Sequence, residues 1–164
     1  MSRLLTFIAL LGVLLTAYSC NTSGCTDNQN SLPLAGFYSA QTQEGISISD
    51  IEISGVGRNP DSLLYASGTA LSSVYLPLRS RNTTTAYAFH YTQEGLEDPK
   101  YNDTITFTYT SRPYLASEEC GAMLTYNITG MTHTRHLIQS VEIIDSLITN
   151  TDIERIKIYF RTEE

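Results

Sequence analysis

The strongest signal along the chain is an alternation of apolar and polar side chains with period two. Ile105, Phe107 and Tyr109 alternate with Thr104, Thr106, Thr108 and Thr110, the pattern of a strand with one buried and one wet face. Tyr87, Phe89 and Tyr91 alternate with Ala86, Ala88 and His90, and Leu124, Tyr126 and Ile128 with Met123, Thr125 and Asn127. Near the C-terminus, Ile156, Ile158 and Phe160 alternate with Arg155, Lys157 and Tyr159. Val74, Leu76 and Leu78 form a further set, and Val141 with Ile143 another. Ile46 and Ile48 share one parity while Ile51 and Ile53 share the other. One strand through all four needs an extra residue, which predicts a β-bulge near Ser49 and Asp50. Turn formers separate the runs: Gly55 to Pro60, Arg81-Asn82, Gly95 to Pro99, Arg112-Pro113, Gly130 and Asn150. After the first twenty residues no stretch keeps a helical period, and 97–102 holds one short helical turn at most. The expected fold is all-β, a single antiparallel β-sandwich of about 7–9 strands.

The N-terminus follows a different rule. Arg3 precedes the apolar run Leu4 to Ala17, which ends at Ser19-Cys20 and turns polar at once. A positive start, a run of roughly 14 apolar residues and a small residue before the cut describe a secretory leader, too short for a membrane span. The stretch resembles a bacterial lipoprotein signal, of the relaxed form usual in Bacteroidota, in which Cys20 becomes the acylated first residue. Ala17 and Tyr18 depart from the commonest residues of that box, a rival cut before Cys25 lies far from the apolar run, and the alternatives to lipidation are a plain secreted protein or an uncleaved anchor. The expected organisation is a lipoprotein signal peptide over 1–19, a lipidated Cys20 with a flexible tether over 20–31, and a β-sandwich domain over 32–164. Asn21 to Gly24 lacks the acidic run that can export such lipoproteins to the cell surface. The expected location is therefore the cell envelope, anchored in the outer membrane and facing the periplasm.

Removing Cys20 leaves Cys25 and Cys120. In an exported compartment the pair reads as one disulfide, the alternative being two unpaired thiols, which oxidising conditions disfavour. The closed loop of nearly 100 residues corresponds to about 4–5 kcal/mol in the chain-entropy model. Cleavage leaves about 145 residues, one domain's length. The net charge of −7 becomes −8 once Arg3 leaves, and Lys100 and Lys157 are the only lysines. That balance argues against nucleic acid and anionic headgroups as partners, since neither charge would be neutralised.

Chemistry is harder to find. There is no Gly-x-Ser-x-Gly elbow and no Ser-x-x-Lys pair, and no cofactor motif, so the expectation is a protein that is not an enzyme. Asp50 and Glu52 share a strand face and read as its wet side. His133 and His136 stand three apart, which on a strand points them to opposite faces. The segment Glu94 to Asp103 gathers hard oxygens, making Glu97, Asp98 and Asp103 the weak cation candidates, although it lacks the register of an EF-hand loop. The tripeptides Asp61-Ser62-Leu63, Asp103-Thr104-Ile105 and Asp145-Ser146-Leu147 are similar to the O-glycosylation signal of exported Bacteroidota proteins, so Ser62, Thr104 and Ser146 are candidate acceptors. Asp before a strand is also ordinary turn chemistry. Tyr38, Tyr65, Tyr75, Tyr114 and Tyr159 are the aromatic candidates for a ligand surface.

The stretch from Asp103 to Tyr109, with Cys120-Gly121, Leu124-Thr125-Tyr126 and the closing Ile156 to Phe160, resembles an uncharacterised Bacteroidota lipoprotein family, a domain of unknown function. The resemblance implies a lipid-anchored all-β domain, a pairing of the early cysteine with the one in the Cys-Gly segment, and an outer-membrane protein as neighbour. It implies no activity. The reading from sequence is a lipid-anchored envelope protein with a non-catalytic binding or scaffolding role, the alternative being a glycan or small-ligand binding module.

Overall fold

The computed structural model describes residues 30–57, 62–118 and 120–162. The leader, Cys20, Cys25, most of the tether and Asp61 lie outside the described residues. The alternating runs become two stacked sheets. One holds four strands in the order β4 (Ser73–Tyr75), β1 (Leu34–Ser39), β10 (Glu154–Phe160), β8 (Ile138–Ile143). The other holds six, in the order β3 (Ser62–Tyr65), β2 (Ile51–Gly55), β5 (Thr84–Tyr91), β6 (Asp103–Ser117), β7 (Gly121–His133), β9 (Leu147–Ile148). The ten described strands exceed the expected number because β3, β4 and β9 are two to four residues long, too short to display a period. Pairing is antiparallel except between β1 and β10, which run parallel with Phe37 opposite Ile158. The expected helical turn is the 3-10 turn Pro99–Tyr101.

Parity predicts the core well. Tyr87, Phe89, Tyr91, Ile105, Phe107, Tyr109, Ile156, Ile158 and Phe160 are all buried, and they join Phe37, Ile51, Ile53 and Leu76 in one cluster. The alternate threonines of β6 face outward. Rings within the cluster meet edge to face: Phe37 on Phe160 at 5.1 Å between centroids, and Tyr109 on Tyr126 at 5.5 Å, a geometry the ring quadrupoles favour.

The bulge expected at Ser49–Asp50 is not there. Ile46 and Ile48 belong to no strand; the chain makes isolated bridges from Gly45 to Tyr38 and from Ile48 to Leu71, bends at Ser49–Asp50, and then enters β2. The parity changes because the chain passes from one layer to the other, which places Ile46 and Ile48 against the end of the core. A bulge that does switch parity lies in β7, where Thr108 faces Gly130 but Tyr109 faces Ile128, leaving Thr129 as the extra residue. Tyr126 and Ile128 are therefore buried before it, and Met131 and His133 turn partly inward after it. Met123, expected on the wet face, is buried, and Leu124 is half-buried.

Phe37 lies on the parallel strand pair and on the Phe160 ring. Phe37→Ala is expected to cost about 3–5 kcal/mol, as large-to-small core changes do, measured by urea unfolding. A loss below 1 kcal/mol would show that this layer does not depend on the β1–β10 contact.

Candidate functional site

Asp103 heads β6 with the same parity as Ile105 and Phe107, so its carboxylate points inward and has no solvent exposure. Such a group must be met by donors. Its Oδ1 accepts from the Thr134 hydroxyl at 2.6 Å and the His136 amide at 2.9 Å. Its Oδ2 accepts from the Leu137 and Ile138 amides, both at 2.8 Å, and from the Tyr91 hydroxyl at 2.9 Å. Burial is the largest influence on the carboxyl and pushes its pKa up, but the hydrogen bonds led by Thr134 and the His136 amide outweigh it, and the net pKa is below the ordinary value. Burial, then the neighbouring Asp103 charge, push the Tyr91 hydroxyl far up, so it stays a donor. Residues 134–137 carry the chain from β7 in one sheet to β8 in the other, so Asp103 latches the crossover between layers.

The histidines around this latch are spoken for. His136 Nδ1 donates to the Asn102 carbonyl at 2.7 Å, and His133 Nδ1 to the Thr134 carbonyl at 2.6 Å. The Asn102 amide donates to His90 Nδ1 at 2.9 Å. The cation candidates are not brought together either. Asp98 pairs with Lys100 at 2.9 Å and caps the 3-10 turn, its carboxyl held low first by the Lys100 amide. Glu97 accepts from the Gly95 amide at 3.3 Å, while Asp103 faces the interior. Among the described residues no three His, Cys, Asp or Glu side chains are grouped to hold a metal ion.

Two clefts open at opposite ends of the six-stranded sheet. The first, about 670 Å³, lies where β5 ends and β2 begins, with Ile46, Ile48, Tyr91, Leu96, Leu137 and Phe160 as its apolar wall. Asp50, Glu94, Arg161 and Thr162 form its polar rim. Ser47, Ser49 and Gln93 also line it, so an apolar floor is ringed by polar groups. The second cleft, about 620 Å³, lies between β3 and the segment before β5. Its floor is strapped by buried hydroxyls: Tyr87 donates to the Pro77 carbonyl, and Tyr109 donates to the Arg79 carbonyl at 2.8 Å while also bonding Thr85 at 2.7 Å. The Arg79 guanidinium donates to the Val56 carbonyl.

The five candidate tyrosines separate into three places. Tyr38 and Tyr159 pair across β1 and β10 on the outer face of the four-stranded sheet, 5.6 Å apart, with their hydroxyls on Glu154 and Glu142. Lys157 lies 4.9 Å from the Tyr38 ring centre. Beside them a Cβ on Gly36 would meet the Glu154 carboxylate, which would have to move aside. Tyr65 accepts the Tyr75 amide at 2.8 Å, and Tyr75 donates to Asp152. Tyr114 stands alone on the hairpin of β6 and β7, whose far part, from Thr110 to Thr125, extends beyond the pairing with β5. Cys120 lies in the turn closing that hairpin, its amide donating to Ser117 Oγ at 2.9 Å. Of the candidate acceptors, Ser62 is exposed at the start of β3, Thr104 is half-buried between β5 and β7, and Ser146 donates to Asn127 at 3.0 Å.

The latch is legible in one signal that periodicity offers, namely an Asp at the inward parity of a strand. Its folded-state pKa is lowered, so the stability it contributes is full above the ordinary carboxylate pKa and fades as pH falls through the lowered one. Asp103→Asn is expected to cost about 3 kcal/mol at pH 7, with the gap to wild type closing below about pH 4. Urea titrations at pH 7, 5 and 3 read this directly; a gap that does not change with pH rules out the charged latch.

No curated protein and no solved structure matches the chain. A family model does match, over residues 50–160, which takes in every strand from β2 to β10 and leaves β1 outside. With that coverage the chain belongs to the Family of unknown function (DUF6452).

Proposed function

We propose that this protein is a lipid-anchored component of a Bacteroidota cell envelope, held at the outer membrane by Cys20 and facing the periplasm, with a binding or scaffolding role rather than a catalytic one. The leader and its terminal cysteine support the anchoring. The observation that supports binding is the 670 Å³ cleft at the end of the sandwich, where two loops and the end of β10 leave an apolar floor open to solvent. Its walls come from residues 46–50, 93–96 and 160–162, loops that a rigid two-sheet scaffold presents. Glycan binding is the second reading, favoured by the Tyr38–Tyr159 pair with Glu142 and Glu154 at its edges. A Cys25–Cys120 bridge belongs to the same proposal, since it would tie the tether to the hairpin tip.

In-cell cross-linking followed by affinity capture should recover a discrete envelope species with wild type and not with Cys20→Ser, and Ser47→Trp in the cleft should reduce that recovery. Equal recovery with Cys20→Ser would sink the anchored reading; equal recovery with Ser47→Trp would move the binding site away from the cleft. Separately, Cys120→Ser should lower stability by about 4 kcal/mol under non-reducing conditions. Equal melting of the two proteins would remove the bridge.

A further inference from the structure

Among the described residues, the large apolar side chains that folding leaves exposed are unevenly placed. Tyr114 and Leu115 lie on the hairpin, Leu147 faces Asn127 at its root, and Ile144 and Ile153 flank the start of β10. These five are between 48% and 63% exposed. Leu63 and Leu64, the other two, sit on edge strand β3. Strand directions fix which end this is. β6 leaves the cleft end at Asp103 and enters the hairpin after Tyr109, while β10 runs from Glu154 at the hairpin end to Phe160 at the cleft. The cleft end has no exposed large apolar side chain among the described residues and carries charged groups of both signs instead: Asp50, Glu94, Glu97 and Asp98 with Lys100 and Arg161.

The described chain also starts at the hairpin end. Leu34 lies opposite Glu154 and Tyr75 at the start of β1, and Pro33 accepts the Leu76 amide. The ten steps from Cys20 to Asn30 reach at most about 35 Å when extended, so an anchored Cys20 keeps this end within that distance of the bilayer. Strand addition along the β6 edge of the hairpin is disfavoured. Tyr109 donates its amide toward β5, so by alternation the position of Pro113 is one whose amide would face the open edge, and proline has none to offer.

We propose, on the basis of the anchored reading above, that the hairpin end of the sandwich rests on the lipid surface. Tyr114, Leu115, Ile144, Leu147 and Ile153 enter the boundary between headgroups and acyl chains, and the charged cleft end points away from the membrane. Exposed apolar residues at the end where the described chain starts add buried area, where one anchor alone leaves the domain free to tumble. The orientation also leaves the cleft open to whatever diffuses in the periplasm.

The chain contains no tryptophan, so a single introduced one is a clean probe. The full lipidated protein is reconstituted in phosphatidylethanolamine and phosphatidylcholine vesicles with and without brominated acyl chains. Leu115→Trp, Tyr114→Trp and Ile153→Trp should lose emission by roughly twofold or more on brominated lipid, as side chains about 5–10 Å into the interface do, and Gln93→Trp at the cleft should not. Protein that floats with the vesicles but shows no quenching at 114, 115 or 153 overturns the docking and leaves the anchor standing. Failure to float overturns both. A blue shift at these positions that depends on protein concentration and not on bromine overturns the docking in favour of a second copy of the chain.

Discussion

A carboxylate with no contact to water survives only if donors surround it, and the five hydrogen bonds on Asp103 meet that condition. They come from both sides of the passage between sheets: Tyr91 from the six-stranded layer, Ile138 from the first residue of β8 in the four-stranded layer, and the connecting residues between them. The constraint works in both directions. Without the donors the charge could not be buried, and without the charge the amides of His136, Leu137 and Ile138 would lose their partner at the point where the chain changes layer. Arg161 at the end of β10 then bonds to the Leu137 carbonyl, so the wall of the cleft is fixed to the same connection. The latch and the cleft are two sides of one turn.

The molecule is polar in the sense that its ends differ. One end carries the first cleft with its charged rim, and the other carries the second cleft, the hairpin, most of the apolar side chains exposed among the described residues and the start of the described chain. The two layers make this possible because β1 and β10 run parallel. A sandwich closed by an antiparallel terminal pair would have brought its first strand in at the cleft end. The parallel pair puts the start of the described chain at the end opposite the first cleft.

Much of the fold was readable because burial follows parity. The residues at the inward positions of β5, β6 and β10 are those picked out by alternation, and the outward threonines of β6 followed with them. The failures have physical causes. The Ile46 to Ile53 segment looked like one bulged strand because parity alone cannot tell an inserted residue from a change of layer. Met123 broke the rule on a hairpin that extends beyond the sheet, where inside and outside are no longer set by one core. The cation grouping of Glu97, Asp98 and Asp103 joined residues that are neighbours in sequence, yet Asp98 turns to Lys100 and Asp103 to the crossover.

By itself the sequence determined an all-β chain, its inward and outward faces and most of its core, because alternation with period two is a local consequence of the pleat. It could not determine which strands pair, since pairing depends on partners more than a hundred residues apart, as in β1 with β10. Nor could it place Asp103 in a cage of donors, because three of those are backbone amides whose positions exist only once the crossover has folded. The cleft and the apolar end belong to the tertiary structure for the same reason: each is assembled from loops that only the stacking of two sheets brings side by side.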